Sequence, residues 1–516
     1  MLIAAVDIGT SSTRALLFDD ARFTGQSTAV EYALRTPEPG AAELDAMEVM
    51  SAVVECIHGL TLATSLPIDC VALSSAMHSL LAADARGVPL TPVYTWADNR
   101  AAIIQSRLKE WLPPTVSSHS LYLETGVPIH PMSPLLKLVW LRQTQPAIVS
   151  SAEKFVSIKE FVCHQLFGRW LVDDSIASAS GLYSLKMCDW CDTALATVGV
   201  SRSQLSEIAA PETLLRGLSP GYVAAMNLPA DTPFVLGASD GCLANLGAGL
   251  LAAGSETNTL RRAVLTIGTS GALRMAVARP ATDAAMRTFC YALAQDEFVI
   301  GGATNGGGLP LRWLRDNFPQ LRIGLDAGDA YTALAWLAQQ VPAGANGLLF
   351  HPYLAGERAP LWNADARASF IGLNFSHGPT HMVRAVMEGV LFNLAMILDV
   401  LEELAGGPVD ELITGGGFAR SPFWLQMAAD LFGRPLAVAR NTETTAQGAA
   451  LLALTAMGRA KSLTAAVGQL PANDIRITPD PATHARYAQL RPTFNGIPAT
   501  LAPFHSKLAA FQRENP

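Results

Sequence analysis

Residues 5–19 read AVDIGTSSTRALLFD and residues 263–277 read AVLTIGTSGALRMAV, so the tetrapeptide Ile-Gly-Thr-Ser stands at 8–11 and again at 267–270. In a chain of 516 residues one shared tetrapeptide arises by chance. The flanks constrain more. Each copy follows a short apolar run (Ile3 to Val6, then Ala263 to Leu265) and precedes another (Ala15 to Phe18, then Ala272 to Val277), with small and hydroxyl residues between. That pattern predicts strand, glycine turn, strand in both halves. A chain of this length also exceeds what one hydrophobic core organises, so two α/β domains are expected, with internal duplication as one route to them.

Hydrophobic residues make up 50% and charged residues 16%, which excludes a largely disordered chain and implies strands buried on both faces. A formal net charge of -8 and the lack of a basic run argue against a nucleic-acid binder. The apolar N-terminus is broken by Asp7 and carries no basic residue ahead of it, so it reads as a buried strand rather than a signal peptide. Stretches 446–457 and 389–404 read as core helices, not membrane spans. Seven cysteines, an odd number spread along the chain, fit reduced thiols in a cytoplasm, and the single CxxC at 188–191 receives no role.

Along the chain, helical periodicity is expected from Met47 to Leu62, a strand from Asp69 to Ser75, and then PFVLGASDGCLANLGAG (233–249) as strand, glycine-rich turn and small-residue helix. Residues 250–262 are small and polar, placing a domain boundary near residue 255 and dividing the chain into 1–254 and 255–516. Leu309 to Phe318, Ala330 to Gln340 and Thr380 to Leu404 read as helices. LITGGGFARSPFWLQMAADLFGRPLAV (412–438) reads as strand, triple glycine, a helix capped by Ser421 with Pro422 in its first turn, and a further strand.

Four glycine-rich segments (9–12, 268–271, 301–308 and 415–417) are expected at strand ends, where backbone N–H groups can approach anionic oxygens and Thr or Ser adds donors. Each alone also suits a plain tight turn. No P-loop pattern occurs, nor a GxGxxG followed by a suitable acid. Asp7 is expected at the end of a buried strand before such a turn, where a metal or a hydrogen-bond network must meet its charge. Asp240, in GASDG, has room to act as a general base, or equally to cap the following helix.

VDIGTSSTRALLFD, LGASDGCLANLGAG, LTIGTSGALRM, PYLAGERAPLWN, HMVRAVMEGVLFNL and TGGGFARSPFWLQMAADLFGRPLAV stand in the order found in the FGGY carbohydrate kinases. The chain resembles that family to about residue 460. The resemblance implies two ribonuclease H-like domains of the actin-like ATPase class with a cleft between them, the first binding sugar and the second nucleotide. By motif, Asp240 matches the general base and Asp7 the acid near Mg²⁺. Thr10, Ser11 and Arg14, with Thr269, match positions beside the phosphates of ATP. Gly302, Gly416, Gly417 and Arg420 match positions lining the nucleotide, although many relatives carry Asn where this chain has Arg420.

SAMHSLL (75–81) and TWADNR (95–100) resemble the xylulokinase and gluconokinase branches, which marks Met77, His78, Trp96 and Asp98 for the substrate beside Asp240. GVPIHPMSPLLKLVWL (126–141) looks most like gluconokinases. A sugar acid gains from a nearby cation, and His78, His130, Lys137 and Arg100 are available; His130 reads equally as ligand or as structural residue. The implied reaction is ATP-dependent phosphorylation of D-gluconate, with D-xylulose or another open-chain sugar as the alternative within the family. An actin-like nucleotide-gated regulator without a small substrate is the alternative from another class. Sugar or sugar acid is the expected partner, with no nucleic acid and no membrane, and a homodimer stays open.

Overall fold

A computed structural model of the chain describes residues 1–252, 260–319, 330–415, 417–439, 442–471 and 475–515. The boundary expected near residue 255 lies outside them. The chain folds into two units: one formed by Met1–Asn258, Ala276–Val299 and Glu443–Leu470, the other by Thr259–Met275, Ile300–Thr442 and Pro471–Pro516.

In the first unit the strands are β1 (Leu2–Ile8), β2 (Ser12–Asp19), β3 (Arg22–Glu31), β4 (Cys70–Ser75), β5 (Leu214–Leu215) and β6 (Phe234–Ser239), in the sheet order β5-β6-β4-β1-β2-β3. β1 runs antiparallel to β2 and parallel to β4, and β6 continues parallel to β4. Every residue of β1 is buried. Its alternation sorts the side chains: Leu2, Ala4, Val6 and Ile8 join one apolar cluster, while Ile3 and Ala5 join another on the opposite face. Helix α1 (Ala46–Ala63) covers the first face through Val49, Met50, Val53, Ile57 and Leu60, and its first turn is closed by the Asp45 carboxylate, which accepts from the N–H groups of Met47 and Glu48. Among the described residues α1 alone is long and apolar enough to cross a membrane, and this packing makes it a core helix of the unit. Next come α2 (Pro134–Thr144), α3 (Ile158–Phe167), the short α4 (Asp174–Ala179) and α5 (Asp240–Gly247).

The opposite face is covered by α5 and by the helix Thr444–Ala456, which returns from late in the sequence. These two helices touch backbone to backbone. A Cβ on Gly448 would stand 2.0 Å from the Leu243 carbonyl oxygen, and one on Gly247 would stand 1.8 Å from that of Thr444. The small residues of LANLGAG and TTAQGAALLAL thus set the approach of the helices.

β6 leads straight into α5, without the glycine-rich turn expected between them. Register with β4 shifts between Val235 and Ala238, so β6 carries an extra residue there. Gly237 makes this bulge possible: its φ is +73° and a Cβ would lie 1.6 Å from the Leu73 carbonyl oxygen.

The second unit repeats the arrangement. Its strands β7 (Arg262–Ile267), β8 (Gly271–Val277), β9 (Glu297–Thr304), β10 (Glu411–Gly415), β11 (Leu436–Val438) and β12 (Ile475–Ile477) lie in the order β9-β8-β7-β10-β11-β12. β7 pairs antiparallel with β8 and parallel with β10, as β1 does with β2 and β4. The two hairpins are not identical, since Ile8 pairs with Thr13 but Ile267 pairs with Gly271, leaving the second turn one residue shorter. Helices α6 (Pro379–Leu404), α7 (Pro422–Phe432) and α8 (Pro481–Glu514) pack in this unit, and α7 is capped by Ser421, whose hydroxyl accepts from the Trp424 N–H, with Pro422 in its first turn. Gly301 and Gly302 correct the expectation of a turn: they lie inside β9, and only Gly306 to Gly308 follow its end.

Replacing Gly237 with Ala combines a left-handed backbone with a side-chain overlap that the sheet cannot relieve. A loss of roughly 3 kcal/mol or more in unfolding free energy is expected. Urea unfolding checks it, and a midpoint equal to that of the parent chain would show that the bulge accepts a side chain.

Candidate active site

The turn between β1 and β2 is fixed from several sides. The Gly9 N–H donates to the Ser12 carbonyl at 3.0 Å, the Tyr32 hydroxyl donates to the Gly9 carbonyl at 2.6 Å, and the Tyr32 N–H donates to the Ser11 carbonyl at 3.1 Å. The indole N–H of Trp96 reaches the Thr10 hydroxyl at 3.0 Å, so a substrate candidate and a phosphate candidate are in direct contact. Strand register places Asp7 opposite Arg14 on one side and Ser74 on the other. The Arg14 guanidinium lies 3.4 Å from the Asp7 carboxylate and 2.9 Å from that of Glu443, and the Ser74 hydroxyl donates to Asp7 at 3.1 Å. Burial pushes the Asp7 carboxyl above the usual range, with Arg14 and Ser74 acting against that rise.

Asp98 is 1% exposed, and its carboxylate accepts from the Ala42 N–H and from the Arg100 side chain. Arg100 is bound as well by Glu38 at 2.9 Å and Glu43 at 2.5 Å, and it lies over the rings of Tyr94 and Trp140. The pair therefore clamps the 38–43 segment, and Arg100 is committed to three carboxylates. Met77 is partly buried against the apolar cluster of the α5 face.

His78 is 7% exposed with a φ of 66°, an unusual backbone for a residue with a side chain. Its Nδ1 stands 2.7 Å from the Ala179 carbonyl, which can only accept, so the proton sits on Nδ1, and Nε2 faces the Tyr291 hydroxyl at 3.4 Å. Lys137 of α2, also buried, donates to the carbonyls of His78 and Met132. Burial pushes its ammonium down to about 7, with Asp98 acting against that fall. The Met132 N–H in turn donates to Nδ1 of half-buried His130 at 3.2 Å, leaving the proton of a neutral ring on Nε2. Lys137 thus ties together the two segments that carry His78 and His130, rather than presenting a cation to solvent.

Asp240 is the first residue of α5, at the end of the bulged strand β6. It is not the cap. That role belongs to Ser239, whose hydroxyl accepts from the Cys242 N–H, while the Asp240 carboxylate accepts from the Gly241 N–H at 2.6 Å. This N–H contact and the start of α5 fix where the Asp240 carboxylate stands.

In the second unit Thr269 is exposed in the β7–β8 turn. The Gly308 N–H donates to the Gly268 carbonyl at 2.6 Å and the Leu309 N–H to the Thr269 carbonyl at 3.1 Å, so the 306–308 glycines brace that turn. Gly302 has a packing reason of its own, since a Cβ there would stand 2.7 Å from that of Ala359. A Cβ on Gly417 meets open space, and Arg420 is exposed in the same 3₁₀ turn. Gly416 lies outside the described residues.

Sequence reasoning missed Ser74, Glu443 and Tyr291, each in contact with a candidate residue. It also missed the buried pair Lys159–Asp173 at 2.7 Å and the contact of Ser175 with Ser239. Apart from Lys159 and Asp173, which stand 14 residues apart, these contacts join residues far apart in the chain, and no local motif marks any of them.

Residues 2–247 match the N-terminal domain of the FGGY family of carbohydrate kinases and residues 263–457 match its C-terminal domain. A protein from Bacillus subtilis (strain 168) named gluconokinase is 40% identical over 515 residues, covering 98% of each chain. The solved structure of a gluconate kinase from Lactobacillus acidophilus superposes with a TM-score of 0.91 at 32% identity, covering 98% of this chain and 99% of that one. A ligand-bound xylulose kinase from Lactobacillus acidophilus gives 0.90, also at 32% identity, with 98% and 99% covered. With both halves matched and two units of like topology, the chain belongs to the FGGY family of carbohydrate kinases.

Proposed function

We propose that the chain is an ATP-dependent gluconokinase, transferring the γ-phosphoryl group of ATP to the terminal hydroxyl of D-gluconate to give 6-phosphogluconate and ADP. The observation that carries this reading is the 40% identity with a protein named gluconokinase, spread over 98% of both chains. Asp240 takes the proton from the attacking hydroxyl as the O–P bond forms and the bond to ADP breaks. Thr10, Ser11 and Arg14 in the first unit and Thr269 in the second bind phosphate oxygens, and Gly302, Gly416, Gly417 and Arg420 line the nucleotide.

Among the sugar candidates, His130 offers a donor, Trp96 the face of its indole and Met77 an apolar contact, while His78 and Asp98 hold the segments that carry them. His130 meets the carboxylate of the sugar acid through Nε2–H; Arg100, bound to three carboxylates, is replaced in that role. Asp7 fits Mg²⁺, because this ion keeps most of its waters, takes one or two carboxylates plus phosphate oxygens, and relieves the cost of a buried anion. When bound it supplies positive charge beside the phosphates. The seven cysteines form no disulfide, which supports a reducing compartment, the cytoplasm. D-Xylulose is the second reading, favoured by the xylulose kinase structure that superposes nearly as well as the gluconate kinase does.

ADP release with Mg·ATP, measured across gluconate, xylulose, ribulose, glycerol and rhamnulose, is expected to be highest with gluconate; a higher kcat/KM for xylulose would transfer the assignment. Asp240→Asn is expected to lower kcat by roughly a hundredfold or more with ATP affinity within about twofold, since a general base contributes on that order. Turnover equal to the parent would remove Asp240 as the base. His130→Ala is expected to raise KM for gluconate by about tenfold and for a neutral sugar much less, as loss of one hydrogen bond to a charged group predicts. Equal effects on both would make His130 a structural residue.

A further inference from the structure

Ser175 and Ser239 are both fully buried, and they belong to segments 64 residues apart. Their hydroxyl oxygens lie 2.7 Å apart, and the Ser239 N–H donates to the Ser175 hydroxyl at 3.2 Å. One side chain of α4 therefore holds both the backbone and the side chain of the residue that caps α5. Ser239 is also the last residue of the bulged strand and the immediate neighbour of Asp240.

Behind Ser175 the chain of polar contacts continues into the core. Asp173 caps α4 by accepting from the Ile176 N–H at 3.0 Å, and its other oxygen is 2.7 Å from the Lys159 ammonium, with both side chains of that pair nearly inaccessible. A buried ion pair is weak evidence for stability, since desolvation offsets much of its attraction, but it admits few alternative arrangements of the groups it joins. Here it fixes the first turn of α4, and through Ser175 it fixes the first turn of α5. A general base must be held within a fraction of an ångström of the proton it takes, and residues behind it set that precision.

We propose that Ser175 is a positioning residue for the transfer step, acting on Asp240 through Ser239, with the Lys159–Asp173 pair as its anchor. The inference rests on the reading of Asp240 as the base. Ser175 itself touches neither sugar nor nucleotide in this scheme. Ser178 supplies the internal control: it is equally buried in the same helix, its hydroxyl accepts from the Ala292 N–H at 2.9 Å and donates to the Ser175 main-chain carbonyl at 3.1 Å, and it makes no contact with Ser239, so its loss leaves the Ser175 hydroxyl on Ser239.

The test compares Ser175→Ala and Ser178→Ala in the full chain, with gluconate and Mg·ATP as substrates, or with whichever sugar the panel selects. Ser175→Ala is expected to lower kcat about tenfold, to leave KM for ATP within twofold, and to shift the acid limb of the kcat–pH profile. Ser178→Ala is expected to leave the profile and kcat in place even where it lowers the unfolding midpoint by the same amount. In an Asp240→Asn background, Ser175→Ala is expected to change the residual rate less than twofold. Normal kcat in Ser175→Ala together with an inactive Asp240→Asn would overturn the positioning role while sparing the base. Full activity in Asp240→Asn would overturn the base assignment instead. Equal losses of kcat in the two serine variants, with unshifted profiles, would reduce Ser175 to a packing residue.

Discussion

A strand covered on both faces cannot slip by one residue, because each side chain would then turn to the opposite side of the sheet. β1 is such a strand, with Leu2, Ala4, Val6 and Ile8 against α1 and α3 and Ile3 and Ala5 against α5 and the helix Thr444–Ala456. That register decides where Asp7 stands. It puts the carboxylate opposite Arg14 on β2 and Ser74 on β4, so a charge that burial disfavours finds a cation and a hydroxyl at once. The turn that follows inherits its position from the same pairing, and with it Thr10 and its contact to Trp96.

The site depends on a second kind of constraint, the exact filling of space by backbone. The bulge at Gly237 turns the end of β6, Ser239 closes α5, and Gly247 and Gly448 let α5 and the returning helix approach until main chain meets main chain. Asp240 stands where these meet. None of these residues carries charge, yet together they set the direction of the one carboxylate proposed to accept a proton.

Much of this was legible in the sequence. The duplicated Ile-Gly-Thr-Ser with its apolar flanks gave both hairpins, and helical periodicity gave α1 and α6 to within a residue or two at each end. Local patterns were misleading where tertiary packing decided. Gly301 and Gly302 looked like a turn but lie within β9, where the contact with Ala359 requires a missing side chain. Asp98, a substrate candidate, and Arg100, one of the available cations, also form a clamp with Glu38 and Glu43, which depends on residues whose proximity no short motif encodes. Ser175 was invisible for the same reason: a serine in a short helix gains its meaning from a partner 64 residues away.

The first unit is closed by pieces that arrive late. Strand Phe289–Ala294 supplies Tyr291 to His78, and helix Thr444–Ala456 covers one face of the sheet with Ala446, Ala449, Ala450 and Leu451. During synthesis from the N-terminus, roughly 190 residues of chain must follow residue 258 before that face can be covered, since the helix lies within the segment Glu443–Leu470. Until then the apolar side of β1, β4 and β6 is covered only in part, by α5, and the contacts that complete it span most of the sequence, the kind of topology that folds slowly. A growing chain of this fold therefore needs protection from association for longer than its N-terminal position in the sequence would suggest.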